Sequence, residues 1–459
     1  MWNPKTIDTD KSLYIAIAEA LERDIRNGIL KPGYRMPTHR ELADIIGVNV
    51  TTASRAYKEA ERRGLISGIV GRGTYVTADL GMDSSMMKIE EKVSKMIEMG
   101  LVLPLYSKEP DISRVIENVL KSNQMDRFLR YTDPLGLPDH RETGAYWVKR
   151  FDIKVSWENI VICAGAQHAL TCCLSSIFEV GDRIATDSLT YPGIKTVAKT
   201  LGMKLEPIQM DEEGMIPESL EAACHRNPIK GLYLMPNMQN PTTSSMSMKR
   251  KKEIANIVEG YNLTLLEDDI YSFTNQSSMQ AIASLIPENS IYIAGVSKAF
   301  YAGLRIAYVV VPKRFRYKVA QAVVNTIWMA PTLNAAIVSE CIRDGTADKI
   351  ISWKLEEISK RFEVAKEKLS NYCFSGNNNN FYIWLKLPNY WSGKEIELAA
   401  RERGINIFSA DKFAVGGEVA PSAIRISLSG TETIEELSKG LDILERILSN
   451  EYITLDPIL

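Results

Sequence analysis

The sequence predicts two unlike units in series: a small helical head closed by a short hairpin, then a larger α/β body on a mostly parallel sheet. Three observations carry this reading. The chain has 459 residues, too many for one core when a domain takes about 100–200 residues. Its first 76 residues hold helix caps and glycine stops at close spacing. Beyond residue 108, strand-like runs alternate with helical stretches. Hydrophobic residues at 45% and charged residues at 24% are ordinary globular values, so disorder does not dominate. The first 60 residues contain neither an export-signal pattern nor a long apolar span, and a soluble cytoplasmic protein is expected.

In the head, Leu13, Ile17, Leu21 and Ile25 fall at helical spacing before Gly28. Thr38 is followed three residues later by Glu41, a capping box that predicts a second helix to about Ile46, where Gly47 stops it. Asn49 can cap a third helix from Val50 to about Arg63, whose early turns present Thr51, Thr52, Ser54 and Arg55. Leu65-Ile66-Ser67 and Thr74-Tyr75-Val76 then read as two strands around Gly71-Arg72-Gly73. The sum is a winged helix-turn-helix, with the third helix suited to a DNA major groove and Arg72 at the wing tip. Residues 1–78 carry 12 Lys and Arg against 9 Asp and Glu, a surplus of three, while the whole chain stands at −2. Such asymmetry is compatible with DNA contact near the N-terminus.

Residues 79–107 are rich in Met, Lys and Glu and show no strand pattern; they read as a linker, with an amphipathic helix available over 88–99. A flexible linker of that length spans roughly 30 Å root-mean-square. The six cysteines lack metal-type spacing and read as buried free thiols, with no metal expected.

The body, 108–459, places strand-like runs at Ile160 to Ala164, Gly231 to Met235, Leu263 to Glu267, Ile291 to Ala294 and Ile306 to Val311. Ligands of such sheets sit at the carboxyl ends of the strands. Gly165-Ala166-Gln167 follows the first run and opens a helix whose free amides suit an anion such as phosphate. Asn240-Pro241-Thr242, Asp268 with Tyr271, and Ser297-Lys298 with Arg305 each follow a later run. An amine, a carboxylate, amide and phenol donors and an anion cradle thus converge, the set that pyridoxal phosphate (PLP) requires.

Two resemblances sharpen these readings. The run Gly28 to Ala43 (GILKPGYRMPTHRELA), Thr51 to Tyr57 and Gly71-Arg72-Gly73-Thr74 resemble the GntR family of bacterial regulators. That resemblance implies that Arg40, Thr52, Ser54, Arg55 and Arg72 touch DNA, some at phosphates and some at base edges. Residues 108–445 resemble fold-type I aminotransferases, which implies a smaller C-terminal α+β domain and a homodimer. By that resemblance Lys298 binds the cofactor covalently, Asp268 protonates its pyridine nitrogen, and Asn240 and Tyr271 bond its phenolic oxygen. Tyr191 stacks on the ring, Ala166, Gln167, Ser297 and Arg305 hold the phosphate, and Arg425 clamps a ligand carboxylate. Tyr131, in Tyr131-Thr132-Asp133-Pro134-Leu135-Gly136, helps complete a pocket across the dimer.

Three positions depart from the aminotransferase pattern: Gly295 removes one phosphate hydroxyl, Thr243 replaces a glycine, and Asn377 to Asn380 replace a Gly-Gly turn. They bear on turnover and on closure of the pocket more than on cofactor binding. A GntR-like head on an aminotransferase-like body resembles the MocR subfamily, which implies a regulator of operator DNA tuned by PLP or by a PLP–amine adduct rather than an enzyme. Vitamin B6 or amino-acid metabolism is then the expected target, and the heads are expected to dock on the partner's body. The alternative is a working aminotransferase with an accessory head, for which the helix-turn-helix and wing would have no use.

Overall fold

A computed structural model describes residues 2–4, 12–26, 29–30, 34–63, 65–69, 73–76, 96–106, 110–274, 280–417 and 419–449. The head begins with α1 (Leu13–Arg26), α2 (His39–Ile46) and α3 (Val50–Arg62). Both halves of the expected capping box form at the start of α2: Glu41 N–H donates to Thr38 Oγ1 at 3.3 Å, and Thr38 N–H donates to the Glu41 carboxylate at 2.7 Å. Gly47 ends α2 in the left-handed region at φ 73°, and the Asn49 side chain caps α3 through the Thr52 amide. Ile17, Leu21 and Ile25 of α1 bury against Leu42, Ala53, Ala56 and Tyr57 in a separate small core. The hairpin follows as β1 (Ile66–Ile69) paired antiparallel with β2 (Gly73–Val76). Its tip, with Arg72, lies outside the described residues, as does Gly28.

Residues read as linker belong in part to the body. Ile97–Glu98 forms β3, and in residues 96–106 Ile97, Met99, Gly100, Pro104 and Leu105 are buried while only Tyr106 is exposed. Ile97 and Met99 alternate with Glu98, but so short a period-two signal is not readable in sequence. The expected 88–99 helix falls mostly outside the described residues, and at 97 and 98 the chain is strand instead.

The main sheet has seven strands: β4 (Ile160–Cys163), β5 (Arg183–Asp187), β6 (Lys204–Ile208), β7 (Ile229–Leu234), β8 (Thr264–Asp268), β9 (Ser290–Gly295) and β10 (Ala307–Val310). Their order is β4-β10-β9-β8-β7-β5-β6, with β10 antiparallel to its neighbours and the remaining pairs parallel. The five expected strands are present, and β5 and β6 are additional. Edge strand β6 reads Lys204-Leu205-Glu206-Pro207-Ile208, half-exposed and proline-bearing, so its sequence lacks the apolar run of a central strand. A smaller antiparallel sheet near the C-terminus joins β11 (Phe374–Ser375), β12 (Tyr382–Lys386), β14 (Phe408–Ser409) and β15 (Ala423–Ser427). The intervening β13 (Ile405–Asn406) pairs in parallel with β3. The main body core is continuous across both sheets. Among the described residues no helix is long and apolar enough to cross a membrane.

The α2 cap gives a direct check on the head. Thr38→Ala should lower the head's stability by about 1 kcal/mol, read as an earlier urea transition of the helix-turn-helix amides in hydrogen exchange. An unchanged transition would mean that the capping box contributes nothing.

Candidate functional site

Most polar groups of the site lie at or beyond the carboxyl end of a strand, while Arg305 precedes β10 and Arg425 lies within β15. Asp268 ends β8 and is buried. Its Oδ2 accepts a hydrogen bond from Tyr233 Oη at 2.8 Å, while Oδ1 is buried with no partner. Burial pushes this carboxyl up to about 7. Lys298 lies just past β9 and is half-buried. Loss of water, then the charges of Arg425, Lys354 and Arg305, bring its amine down to about 7. At neutral pH a large share of it is therefore unprotonated and nucleophilic.

An anion cradle forms where β4 turns into α4 (Ala166–Ile177). Gly165 caps that helix at φ 87°, and a Cβ there would stand 2.3 Å from Arg305 Nη2. Glycine thus meets both a backbone and a space requirement. Arg305 Nη1 donates to Ser297 Oγ at 3.0 Å, so a guanidinium, a hydroxyl and the first-turn amides of α4 face one place. Tyr191 precedes α5 (Pro192–Thr200) and donates to Gln167 Oε1 at 3.2 Å, while Gln167 Nε2 donates to Gly193 O at 3.1 Å. A side chain at Gly193 would meet the Tyr191 ring at 2.2 Å, so that glycine makes room for the aromatic.

Arg425 comes from β15 and is buried beside Phe413, Tyr382 and Phe408, whose ring centroids lie 4.8, 5.4 and 5.7 Å away. Its Nη1 donates to Asn240 Oδ1 and its Nη2 to the Gly100 carbonyl, both at 2.7 Å. Its Nε has no partner. Tyr271 is buried edge-on to Tyr382, with ring centroids 5.6 Å apart. Arg425 lies within electrostatic reach of Lys298, Tyr191 and Tyr271, and so does Asp268 of the two tyrosines. The expected residues Ala166, Gln167, Tyr191, Asn240, Asp268, Tyr271, Ser297, Lys298, Arg305 and Arg425 are therefore brought to one strand-end region. Tyr131 is not brought there within its own chain. It is 81% exposed and packs on Trp328 at 5.7 Å between ring centroids.

Sequence reasoning missed the segment that runs through this pocket. The Gly100 carbonyl accepts from Arg425, and the Val102 carbonyl accepts from Lys298 Nζ. Main-chain bonds fix the strap: Ile97 N to Gly404 O at 2.7 Å, Met99 N to Asn406 O at 2.8 Å and Ser427 N to Met99 O at 2.7 Å. The Glu98 carboxylate accepts from the Gly100 and Leu101 amides and from Asn406 Nδ2. Carbonyl contacts leave no residue-type signature. Tyr233 and the fully buried Lys354, which donates to Phe300 O at 2.7 Å, were equally silent.

The three departures have structural reasons. A Cβ at Gly295 would lie 2.8 Å from Ile270 Cγ2 and 3.1 Å from Ala166 Cβ, so serine would collide there. Thr243 keeps the left-handed backbone, φ 65°, that a glycine would favour. Asn377 and Asn380 close their turn by mutual bonds, Asn377 N to Asn380 Oδ1 at 2.9 Å and Asn380 N to Asn377 O at 3.0 Å.

On the head, Arg40, Thr51 and Arg55 are exposed and Thr52 and Ser54 half-buried. Ser54 Oγ lies 3.0 Å from His39 Nδ1, and the Arg55 guanidinium stands 4.4 Å over the Tyr14 ring. The start of α3 therefore presents short polar groups flanked by an arginine braced on α1. Of the six cysteines, Cys163, Cys172, Cys173 and Cys341 are buried as expected, but Cys224 is half-buried and Cys373 exposed.

Comparison with known proteins agrees with both halves. Residues 13–76 match the family of bacterial regulatory proteins, gntR family, and residues 95–443 match aminotransferase class I and II. The chain is 35% identical over 449 residues to YdeF of Bacillus subtilis strain 168, an uncharacterized HTH-type transcriptional regulator, covering 98% of this chain and 97% of that one. It is 24% identical over 307 residues to PdxR of Corynebacterium glutamicum, an HTH-type pyridoxine biosynthesis transcriptional regulator, covering 66% of each chain. Among solved structures, an archaeal alanine:glyoxylate aminotransferase superposes with a TM-score of 0.74 at 23% identity, over 86% of this chain and 99% of that one. A winged head of one family and a body of the other, joined along nearly the whole length of such relatives, place the chain in the MocR subfamily of GntR-type transcriptional regulators.

Proposed function

We propose that the body holds PLP, that an amino compound or PLP itself is the effector, and that the head binds operator DNA in response. The observation that carries this is the spare oxygen of Asp268. A buried carboxylate oxygen without a donor costs free energy, and a protonated pyridine nitrogen would satisfy it. The other residues fit the same group. Lys298 supplies an amine that is in part unprotonated at neutral pH, Ser297, Arg305 and the α4 amides supply an anion cradle, and Tyr191 supplies a flat aromatic face. When bound, the cofactor supplies an aldehyde carbon that captures primary amines.

The chain's own residues then read the ligand. Asp268 keeps the ring nitrogen charged, and Asn240 and Tyr271 hold the phenolic oxygen. Arg425 offers a planar pair of donors to a carboxylate, which must displace the Gly100 carbonyl from Nη2. That carbonyl belongs to the strap, which is continuous in sequence with the head, so occupancy of Arg425 would bear on the segment that joins the two. We infer a homodimer in which Tyr131 and Trp328, an exposed aromatic pair, face the partner, with the heads held against the partner's body. Arg40, Thr51, Thr52, Ser54, Arg55 and Arg72 would contact the duplex. Control of vitamin B6 or amino-acid metabolism is the proposed role, the former supported by the likeness to PdxR. The body serves sensing, because a turnover enzyme has no need of a winged head.

Purified protein should be yellow, and borohydride should leave a pyridoxyl group on Lys298; Lys298→Ala should lose both while keeping the fold by circular dichroism. Absence of pyridoxyl-Lys298 in digested wild-type protein would sink the cofactor claim.

Arg425→Ala should keep PLP yet lose at least tenfold, about 1.4 kcal/mol, of any change in DNA affinity caused by an added amino acid. A full response in that variant would exclude a carboxylate held at Arg425 and favour PLP as the effector.

In the apoprotein the Lys298 amine titrates near 7 when folded, against 10.5 for the free group. Between those values the unfolded chain binds more protons, so this group makes stability rise with pH. Lys298→Met should flatten the rise in urea midpoint over that window relative to wild type. Parallel curves would show that the amine is not depressed.

A further inference from the structure

On either side of the turn that opens α4, Cys163, His168 and Cys172 form a cluster that the proposed function does not use. Cys163 ends β4, and Cys172 lies in the second turn of α4. Their sulfurs and a His168 ring nitrogen all lie within 4.8 Å of one another. The Ala164 amide donates to His168 Nδ1 at 3.0 Å. That bond requires a lone pair on Nδ1, so the neutral ring carries its proton on Nε2. Nε2 in turn lies 3.2 Å from Cys172 Sγ and 2.7 Å from Thr326 Oγ1. Thr326 spends its own hydroxyl proton on the Ala322 carbonyl at 2.8 Å, leaving its oxygen to accept.

This arrangement favours a thiolate over a metal. With Nε2 protonated, the ring has no free pair to give a cation on the cysteine side, whereas Nε2–H, shared between Thr326 Oγ1 and the Cys172 sulfur, stabilises a negative charge on that sulfur. The neighbouring Cys173 is an internal contrast. It is equally buried, and burial drives its thiol upward, while donation from Cys163 and then from His168 draws Cys172 downward despite its burial. Cys172 also lies close to solvent: Thr326, 3.8 Å from its sulfur, is exposed, and His168 is half-buried.

We propose that Cys172 and Cys163 are a peroxide-reactive thiol pair, polarised by His168, whose disulfide tightens the turn that builds the anion cradle. The Cys172 sulfur attacks a peroxide oxygen: an S–O bond forms, the O–O bond breaks, and hydroxide leaves to take up a proton as water. The Cys163 sulfur then attacks Cys172, an S–S bond forms, the S–O bond breaks, and the departing hydroxide takes the Cys163 proton. Two thiols are oxidised and one peroxide is reduced to two waters. Because Gly165, Ala166 and Gln167 lie between the two cysteines, drawing the sulfurs to a bond length of about 2.05 Å moves the cradle. Its effect on the cofactor rests on the PLP reading above; the bond itself does not.

The test uses reduced full-length protein, titrated with hydrogen peroxide under native conditions, then alkylated, digested and analysed by mass spectrometry. A cross-linked peptide joining residues 163 and 172 should appear before exposed Cys373 is oxidised, while Cys173 stays alkylatable. His168→Gln should slow its formation on the order of tenfold, about 1.4 kcal/mol of barrier, and Cys163→Ser should leave a sulfenic acid on Cys172 that dimedone captures. Oxidised protein should then retain added PLP less tightly than reduced protein. The pair is refuted if Cys172 reacts no faster than Cys173, or only after denaturation. Stoichiometric zinc uptake by reduced protein that is lost in Cys172→Ser would replace it with a metal site. A disulfide that leaves PLP retention unchanged would refute the link to the cradle. Failure of reduced protein to bind PLP at all counts against the cofactor reading and leaves the thiol result standing.

Discussion

The site depends on ionisable groups being withdrawn from water at the ends of β8 and β9 and in the middle of β15, and held there by a rigid frame. An isolated charge at such depth would neutralise or be expelled. Here each keeps partners on fixed elements: Asp268 has Tyr233 from β7, and Arg425 has Asn240 from the loop after β7. A further layer supports them. Glu267 accepts from the Ile282 and Ala283 amides, and Asp269 accepts from Asn237 and Tyr292. Lys251 bonds Asn237 Oδ1 at 2.6 Å, tying a neighbouring helix to the same loop. The three consecutive acids at 267–269 thus face three different settings, and of them Asp268 is the one with a fully buried oxygen that no donor reaches. Selection among them is made by the partners, not by the residue type.

Much of this was legible in sequence because it is written in local chemistry. The capping box Thr38-Glu41, the stop at Gly47 and the cap Asn49 each act within four residues, and all appear where expected. The strand ends were legible for a different reason: a buried parallel strand must be apolar, so a polar residue just past its end stands out. Asn240, Asp268 and Lys298 were found that way. What stayed hidden depends on backbone or on distance in sequence. Gly100 and Val102 act through carbonyls, which every residue has, and β3 is two residues long. Lys354 sits in a helix from 346 to 368 rich in Lys and Glu, where one fully buried lysine looks like its exposed neighbours. Strand β6 was lost because an edge strand tolerates the charge and proline that a central strand excludes.

The head and body differ in how their stability is built. The head has its own core of about three helices' inner faces, separate from the body's, whereas the small C-terminal sheet shares one core with the main sheet. Motion of the small sheet therefore strains the larger one, while the head can be re-aimed without disturbing either core.

The strap has a further meaning as a built-in competitor. Its carbonyls at Gly100 and Val102 occupy the Arg425 guanidinium and the Lys298 amine, the groups that the amino-acid effector proposed above would engage. Being part of the chain and pinned by β3, they act at a local concentration set by geometry, millimolar even for loose tethers and higher for a fixed one. A free ligand prevails only when its affinity for the pocket exceeds that internal occupancy. The protein would thereby have a threshold below which stray amines and carboxylates leave it silent, and the height of that threshold would be written in the Glu98 and Asn406 bonds that hold the strap rather than in the pocket itself.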